Sequence, residues 1–162
     1  MEDIIDLAKR VGFSLKAHGL QLTTAESCTG GAIAQTITEI AGSSAWFERG
    51  FITYSNASKT ALLNVPAALI AQHGAVSEEV AKAMAEGALA NSNAQIAIST
   101  TGIAGPSGAT PGKPVGTVCF GWARHGHETR TNRVLYKGDR QSVRQQAVAH
   151  ALQELLLIIE NE

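Results

Sequence analysis

The spacing of hydrophobic residues along this chain changes repeatedly between a helical period and strand-like runs. Apolar residues recur every three to four positions in six stretches that we predict to be helices: one capped by Asp3, one after Ser27, residues 56–63, residues 66–72, one capped by Ser77, and one from about Asp139 onwards. Alternating or continuous apolar runs predict five strands: residues 20–25, 50–54, 94–101, 115–123 and 129–136.

The order of these elements predicts the fold. The last two strands are joined by the short turn 124–127, which suits an antiparallel hairpin. The other strands are separated by helices, as in parallel crossover units. No linker, repeat or low-complexity segment divides the sequence. We therefore expect residues 1–162 to form a single three-layer α/β/α domain of the α/β class, with a mixed, mostly parallel sheet of about five strands.

Composition narrows the possible partners. The 162 residues are 44% hydrophobic and 17% charged, with a formal net charge of −1, so we expect neither nucleic acid nor a membrane as partner. Cys28 and Cys119 are the only cysteines, and no His/Cys cluster has metal-ligand spacing. We predict no metal site, and a cytoplasmic location because the N-terminus does not resemble a secretory signal.

A serine and a cysteine lie side by side where the first strand gives way to a helix. Ligands bind beyond the carboxyl ends of strands in open α/β sheets, and backbone N–H groups near a helix start can hold an oxyanion. Ser27 is therefore a candidate nucleophile, with Gly30 and Gly31 leaving room for a ligand. The alternative is an ordinary helix start capped by Ser or Thr.

A serine nucleophile needs a base, and Lys59 is the best-placed candidate. The five histidines fall in predicted turns, at the end of the first helix or in the last helix, whereas Lys59 lies one short turn beyond a predicted strand end. Burial in a site poor in carboxylates favours the neutral amine. Tyr54 is a candidate to orient the amine or relay a proton. The alternatives are a solvated helix lysine and a packing tyrosine.

Two further segments are candidates for anion binding. The loop that starts at residue 101 matches neither a P-loop nor GxGxxG, but its N–H groups can form a backbone nest, so we select Thr101, Gly102 and Gly105. Arg140 and Arg144 lie one turn apart at the start of the last helix, where cations oppose the helix dipole unless an anion is bound. A mobile surface loop and solvated arginines are the alternatives.

Taken together, these segments resemble the CinA C-terminal domain family over nearly the whole chain. The resemblance rests on six motifs in order: TAESCTGG at 24–31, TYSN at 53–56 with Lys59, HGAVS at 73–77, TGIAGP at 101–106, KPVGT at 113–117 and GDR at 138–140. It implies hydrolysis of the carboxamide of nicotinamide mononucleotide, a small-molecule nucleotide, by a serine/lysine dyad with no metal or cofactor. The dyad carries over to Ser27 and Lys59, with Tyr54, Thr101 and Arg140 in support.

The mechanism expected from these residues is acyl transfer. Ser27 would attack the carboxamide carbon while N–H groups from Cys28 to Gly30 stabilise the oxyanion, which places Thr29 and Gly30 among the substrate-binding candidates. The phosphate would bind Arg140 or the 101–105 nest. Two alternatives stay open: a cysteine hydrolase using Cys28, and a non-catalytic nucleotide-binding module. We also expect a homo-oligomer, such as a dimer.

Overall fold

Five strands form one sheet in the computed structural model, which describes residues 3–161. The strands are β1 (Leu22–Glu26), β2 (Phe47–Ile52), β3 (Ile96–Gly102), β4 (Thr117–Arg124) and β5 (Arg130–Leu135). The α-helices of this part of the chain are α1 (Ile4–Ala17), α2 (Ala32–Thr38), α3 (Asn56–Leu63), α4 (Ala67–His73), α5 (Glu78–Ala90) and α6 (Arg140–Glu160).

The strand order is β2-β1-β3-β4-β5, which places β3 in the middle of the sheet. β1 pairs in parallel with both β2 and β3, whereas β4 is antiparallel to β3 and to β5. Only β4 therefore runs against the common direction. The mixed sheet predicted from the sequence is confirmed, with the reversal at the predicted hairpin.

Helices cover both faces of the sheet and create two apolar cores. Along β3, Ile96 and Ile98 pack on one side with α1, α2 and α6, while Ala97 packs on the other with α3, α4 and α5. This separation follows from the period of two residues along a strand. The small side chains on the second face bring α5 close to the sheet: a Cβ at Gly121 of β4 would lie 2.7 Å from the Ala81 carbonyl oxygen.

The largest difference from the predicted boundaries is at β2. The prediction of residues 50–54 was wrong, because the strand begins at Phe47 and ends at Ile52, leaving Tyr54 in the following loop. Glu48 and Arg49 obscured the start, since this edge strand exposes much of its surface and carries polar side chains. The helix predicted over residues 56–63, in contrast, has those bounds in the structure.

Within residues 3–161, none of the helices is long and apolar enough to cross a membrane.

Candidate active site

Ser27 lies directly after β1, in a five-residue turn that precedes α2. We call residues 27–31 the nucleophile turn. Its backbone is fixed at both ends: the Ser27 N–H donates to the Thr100 carbonyl at 3.0 Å, and the Gly30 N–H donates to the Ser27 carbonyl at 3.1 Å. Gly30 and Gly31 have φ values of 61° and 102°, a region that favours glycine. The N-cap of α2 is Gly31, so the alternative in which Ser27 merely caps a helix does not describe this turn.

Lys59 reaches Ser27 from the second turn of α3. The Ser55 side chain caps this helix by accepting the Ser58 N–H, which fixes where α3 begins. Lys59 is 1% exposed, and its Nζ lies 3.2 Å from Ser27 Oγ and 3.2 Å from the Tyr54 carbonyl oxygen. Burial lowers the pKa of Lys59. The solvated surface lysine is thereby excluded, and the amine is placed to accept the hydroxyl proton once it is neutral.

The pair opens into a cavity of about 320 Å³, a volume suited to a small molecule. Eight predicted site residues line it: Ser27, Cys28, Tyr54, Lys59, Thr101, Gly102, Gly105 and Arg140. Neither Asp nor Glu is among the lining residues, and the basic side chains that line the cavity are those of Lys59 and Arg140. The cavity is therefore electrostatically suited to an anionic ligand.

Arg140 connects three segments at the cavity mouth. Its Nη1 donates to the Gly105 carbonyl at 2.9 Å, and its Nη2 donates to the Tyr54 hydroxyl at 3.3 Å. Tyr54 is 63% exposed, so its ring borders the opening rather than packing in the core. Thr101 lies deeper, where its hydroxyl donates to the Ala75 carbonyl at 2.9 Å.

Thr29, Gly30 and Arg144 do not line the cavity, so its geometry gives no support to their prediction as substrate-binding residues. The Thr29 hydroxyl is buried between Glu26 and Thr100. A Cβ on Gly30 would approach Arg144, not a ligand. Arg144 donates to backbone carbonyls of the nucleophile turn. Although the two arginines lie only one helical turn apart on α6, Arg140 points into the cavity and Arg144 points behind the nucleophile turn.

Cys28 lines the cavity but is a poor nucleophile. Its side chain is 7% exposed and belongs to the apolar core beneath the turn. Burial raises the pKa of the Cys28 thiol to about 12, whereas cysteine nucleophiles require the thiolate. The geometry thus argues against the cysteine hydrolase alternative.

Several cavity residues were missed by the sequence analysis as site residues. Asn56, Ala75, Val76 and Ser107 also line the cavity. Asn56, Ala75 and Val76 lie in the motifs TYSN and HGAVS, and their place in those motifs was the signal that could have identified them. Glu26, which is 0% exposed and immediately precedes Ser27, was also missed because nothing in the local pattern distinguishes a buried carboxylate from a surface one.

A buried serine–lysine pair lies beyond the carboxyl ends of parallel strands, in a cavity whose lining contains neither Asp nor Glu. The chain is therefore an α/β protein with its candidate active site where open sheets bind ligands. The family model of the CinA C-terminal domain matches residues 4–159. This chain belongs to that family.

Similar proteins match nearly the full chain. Nicotinamide-nucleotide amidohydrolase PncC of Escherichia coli is 54% identical over 153 residues, covering 94% of this chain and 93% of that protein. The protein of the same name from Pseudomonas putida is 52% identical over 156 residues, covering 96% and 97%. Among solved structures, a competence-damaged protein (CinA) superfamily protein from Klebsiella pneumoniae has a TM-score of 0.95 at 38% identity, covering 99% and 100%.

Proposed function

We propose that this chain is a nicotinamide-nucleotide amidohydrolase that converts nicotinamide mononucleotide and water to nicotinic acid mononucleotide and ammonia. The names of the two relatives that match nearly its whole length support this substrate. The observation that carries the mechanism is the 3.2 Å distance between Lys59 Nζ and Ser27 Oγ inside a buried site. A serine next to a desolvated amine is suited to acyl transfer.

In the proposed acylation step, neutral Lys59 takes the proton of Ser27 as Oγ attacks the carboxamide carbon. The carbonyl oxygen becomes an oxyanion that N–H groups of the nucleophile turn stabilise. As this intermediate collapses, the Lys59 ammonium donates the proton to the amide nitrogen, the C–N bond breaks, and the nitrogen leaves as ammonia. The Tyr54 carbonyl, 3.2 Å from Nζ, helps to hold the amine in position.

Deacylation repeats the same proton transfers with water. Lys59 removes a proton from the water that attacks the ester carbonyl, and then returns it to Ser27 Oγ as the acyl bond breaks. The carboxylic acid product gives its proton to solvent and leaves as its carboxylate, and the serine and the neutral lysine are restored. Lys59 performs the other proton transfers of this step.

The substrate's phosphate is assigned in this proposal to Arg140, the cation at the cavity mouth. Its guanidinium now contacts the Gly105 carbonyl and the Tyr54 hydroxyl, without a carboxylate partner among the described residues. The backbone of residues 101–105 provides the second candidate anchor. We further propose a cytoplasmic setting, in which the free thiols of Cys28 and Cys119 stay reduced.

An assay of ammonia release tests the proposal. Purified protein is incubated with nicotinamide mononucleotide, nicotinamide and the nicotinamide dinucleotide, and the products are separated by chromatography. We expect nicotinic acid mononucleotide from the mononucleotide and no ammonia from Ser27→Ala. Binding of the mononucleotide without ammonia release would favour the non-catalytic nucleotide-binding module.

A further inference from the structure

Two oppositely charged side chains hold the nucleophile turn, and the proposed reaction steps use neither. Glu26 ends β1 and is 0% exposed. Arg144 extends to the turn from α6, more than 100 residues later in the chain. Neither side chain lines the cavity, so both contact the turn from outside the space that a substrate would occupy.

Arg144 binds two successive carbonyl groups of the turn. Its Nε donates to the Cys28 carbonyl at 3.1 Å, and its Nη2 donates to the Thr29 carbonyl at 3.2 Å. In a trans peptide the N–H points opposite to the C=O. Because the Cys28 carbonyl points toward Arg144, the Thr29 N–H points away from Arg144. Thr29 is 0% exposed and does not line the cavity, so this N–H is not the one that faces a substrate.

The preceding peptide is oriented in a related way. The Ser27 carbonyl accepts the Gly30 N–H at 3.1 Å, which directs the Cys28 N–H to the other side of its peptide plane. The residue after a nucleophilic serine commonly provides an oxyanion donor in hydrolases. Cys28 lines the cavity and Thr29 does not, so the Cys28 N–H is the candidate oxyanion donor of the turn, and Arg144 fixes the peptide that follows it.

Glu26 holds the other side of the turn by accepting hydrogen bonds, whereas Arg144 donates hydrogen bonds to carbonyl groups. Its Oε1 accepts the Thr29 hydroxyl at 2.5 Å and the Ile33 N–H at 2.9 Å, and its Oε2 accepts the Ala34 N–H at 3.1 Å. The Thr29 hydroxyl is also 2.8 Å from that of Thr100 on β3. The buried carboxylate thus attaches the Thr29 side chain to the start of α2.

We infer that Arg144 is a positioning residue, which holds the Cys28 and Thr29 carbonyls so that the nucleophile turn keeps the Cys28 N–H at the cavity for the oxyanion formed on Ser27, with Glu26 fixing Thr29 from the opposite side. This inference rests on the proposed acyl transfer and assigns part of its oxyanion site. It differs from a substrate-binding role because Arg144 acts through the backbone.

The first test compares Arg144→Met with Arg140→Met in steady-state kinetics on nicotinamide mononucleotide. Arg144→Met should lower kcat by about 10²–10³-fold, the loss seen when one oxyanion donor is removed, and leave KM nearly unchanged. Arg140→Met should mainly raise KM. Arg144→Lys should be intermediate, because an ammonium lacks the planar fork that serves two carbonyls. A raised KM with unchanged kcat in Arg144→Met would overturn the inference.

A substrate-independent probe separates this inference from the proposed function. A fluorophosphonate reacts when Ser27 Oγ attacks phosphorus, Lys59 takes the hydroxyl proton and fluoride leaves, with the phosphoryl oxygen in the oxyanion site. Mass spectrometry should show Ser27 labelled at least tenfold more slowly in Arg144→Met, by analogy with oxyanion-donor loss, and at the wild-type rate in Gln145→Ala. If Arg144→Met is labelled more slowly but the wild-type protein does not turn over the mononucleotide, only the proposed substrate is refuted.

Loss of folding is controlled by thermal melts and by labelling well below the melting temperature. Equal labelling rates in Arg144→Met and wild type, or slow labelling that is fully explained by the unfolded fraction, would overturn the positioning role. Thr29→Val removes the hydroxyl bound by Glu26 and keeps the backbone N–H. It should slow labelling less than Arg144→Met does, because Arg144 still orients the peptide.

Discussion

At the scale of single residues, the environment decides which side chain is reactive. Cys28 and Lys59 both lie beside Ser27, and burial shifts their pKa values in opposite directions. Both shifts favour the neutral form, because low-dielectric surroundings penalise charge. A neutral thiol is a weak nucleophile, but a neutral amine is a competent base. Burial therefore disfavours Cys28 and favours Lys59 for the same physical reason.

Replacing Lys59 by Met should abolish the base and keep the packing. We expect kcat/KM to fall by about 10²–10⁴-fold, the usual contribution of general acid–base catalysis. In wild type, kcat/KM should rise with pH, because the neutral amine becomes more abundant as pH approaches the lowered pKa of Lys59. The pH profile of Lys59→Met should lack this acidic limb.

Stability measurements on the same variant provide the control. Because the pKa of Lys59 is lower in the folded chain, the unfolded chain binds more protons between the two pKa values. The free energy of unfolding should therefore rise with pH across that window in wild type, and less so in Lys59→Met. An active Lys59→Met protein with the wild-type profile would mean that another group serves Ser27.

Paired substitutions distinguish whether Ser27 or Cys28 is the nucleophile. Ser27→Ala should lose nearly all turnover and still bind the nucleotide, since the missing atom is the nucleophile. Cys28→Ala and Cys28→Ser should retain substantial activity, because the buried thiol carries no charge to lose. Rates of ammonia release, with calorimetric binding for Ser27→Ala, measure both effects. Full activity in Ser27→Ala would contradict the dyad.

At the scale of elements, helix ends and helix contacts place the site residues. α3 carries Lys59, and its C-terminal end rests on α5 at Gly87, where a Cβ would lie 2.0 Å from the Leu63 carbonyl oxygen. A flexible side chain would move aside, whereas this atom belongs to the helix backbone. The glycine therefore fixes how closely α3 approaches α5.

Gly87→Ala should destabilise the fold by about 1–3 kcal/mol, the range for overpacking. Alanine gains about 1 kcal/mol in helix propensity, but the contact with a backbone oxygen outweighs it. Lys82→Ala, at an exposed position of α5, is the matched control and should stay within about 0.5 kcal/mol. Chemical denaturation measures both, and an unchanged midpoint for Gly87→Ala would refute the close packing.

The start of α6 provides a second prediction at this scale. Asp139 caps the helix by accepting the Ser142 N–H at 2.9 Å, which sets Arg140 at its first position. If Arg140 holds the phosphate, Arg140→Ala should weaken binding of the mononucleotide by about 2–5 kcal/mol, the scale for removing one partner of a charge pair.

Calorimetry in the Ser27→Ala background measures that binding without turnover. Gln141→Ala, an exposed neighbour on α6, should bind as tightly as the parent. Unchanged affinity in Arg140→Ala would indicate that the phosphate binds the backbone of residues 101–105 instead.

At the scale of the whole molecule, the strand order brings the site together. β1 lies between β2 and β3, so the segments after all three strands meet at one edge of the sheet. Ser27 follows β1, Lys59 follows β2, and the loop beyond Gly102 follows β3. α6 completes the cavity from the face that carries the larger core.

The molecule has two edge strands, and we keep the prediction that it self-associates. Ile52 ends β2 and Leu135 ends β5, and these large apolar side chains are 57% and 61% exposed. Exposed apolar groups near open strand edges favour association between copies. Light scattering after size-exclusion chromatography should give a multiple of the 16.9 kDa chain mass. The mass of one chain at all concentrations would contradict this prediction.

The sequence by itself determined the alternation of helices and strands, the bounds of α3, the caps at Asp3 and Ser77, and the start of α6 near Asp139. These features depend on periodicity and on local hydrogen bonds, which lie within a few residues of each other. It also singled out Ser27 and Lys59 by residue type and by position after strands.

Only the tertiary structure decided which of these residues meet. Ser27 and Lys59 are 32 residues apart in the chain, and their 3.2 Å contact depends on β2 pairing beside β1. The directions of Arg140 and Arg144 depend on the angle at which α6 crosses the sheet, which no local pattern encodes. The burial that lowers the pKa of Lys59 is likewise a property of the packed layers, because desolvation is the sum of contacts from distant segments.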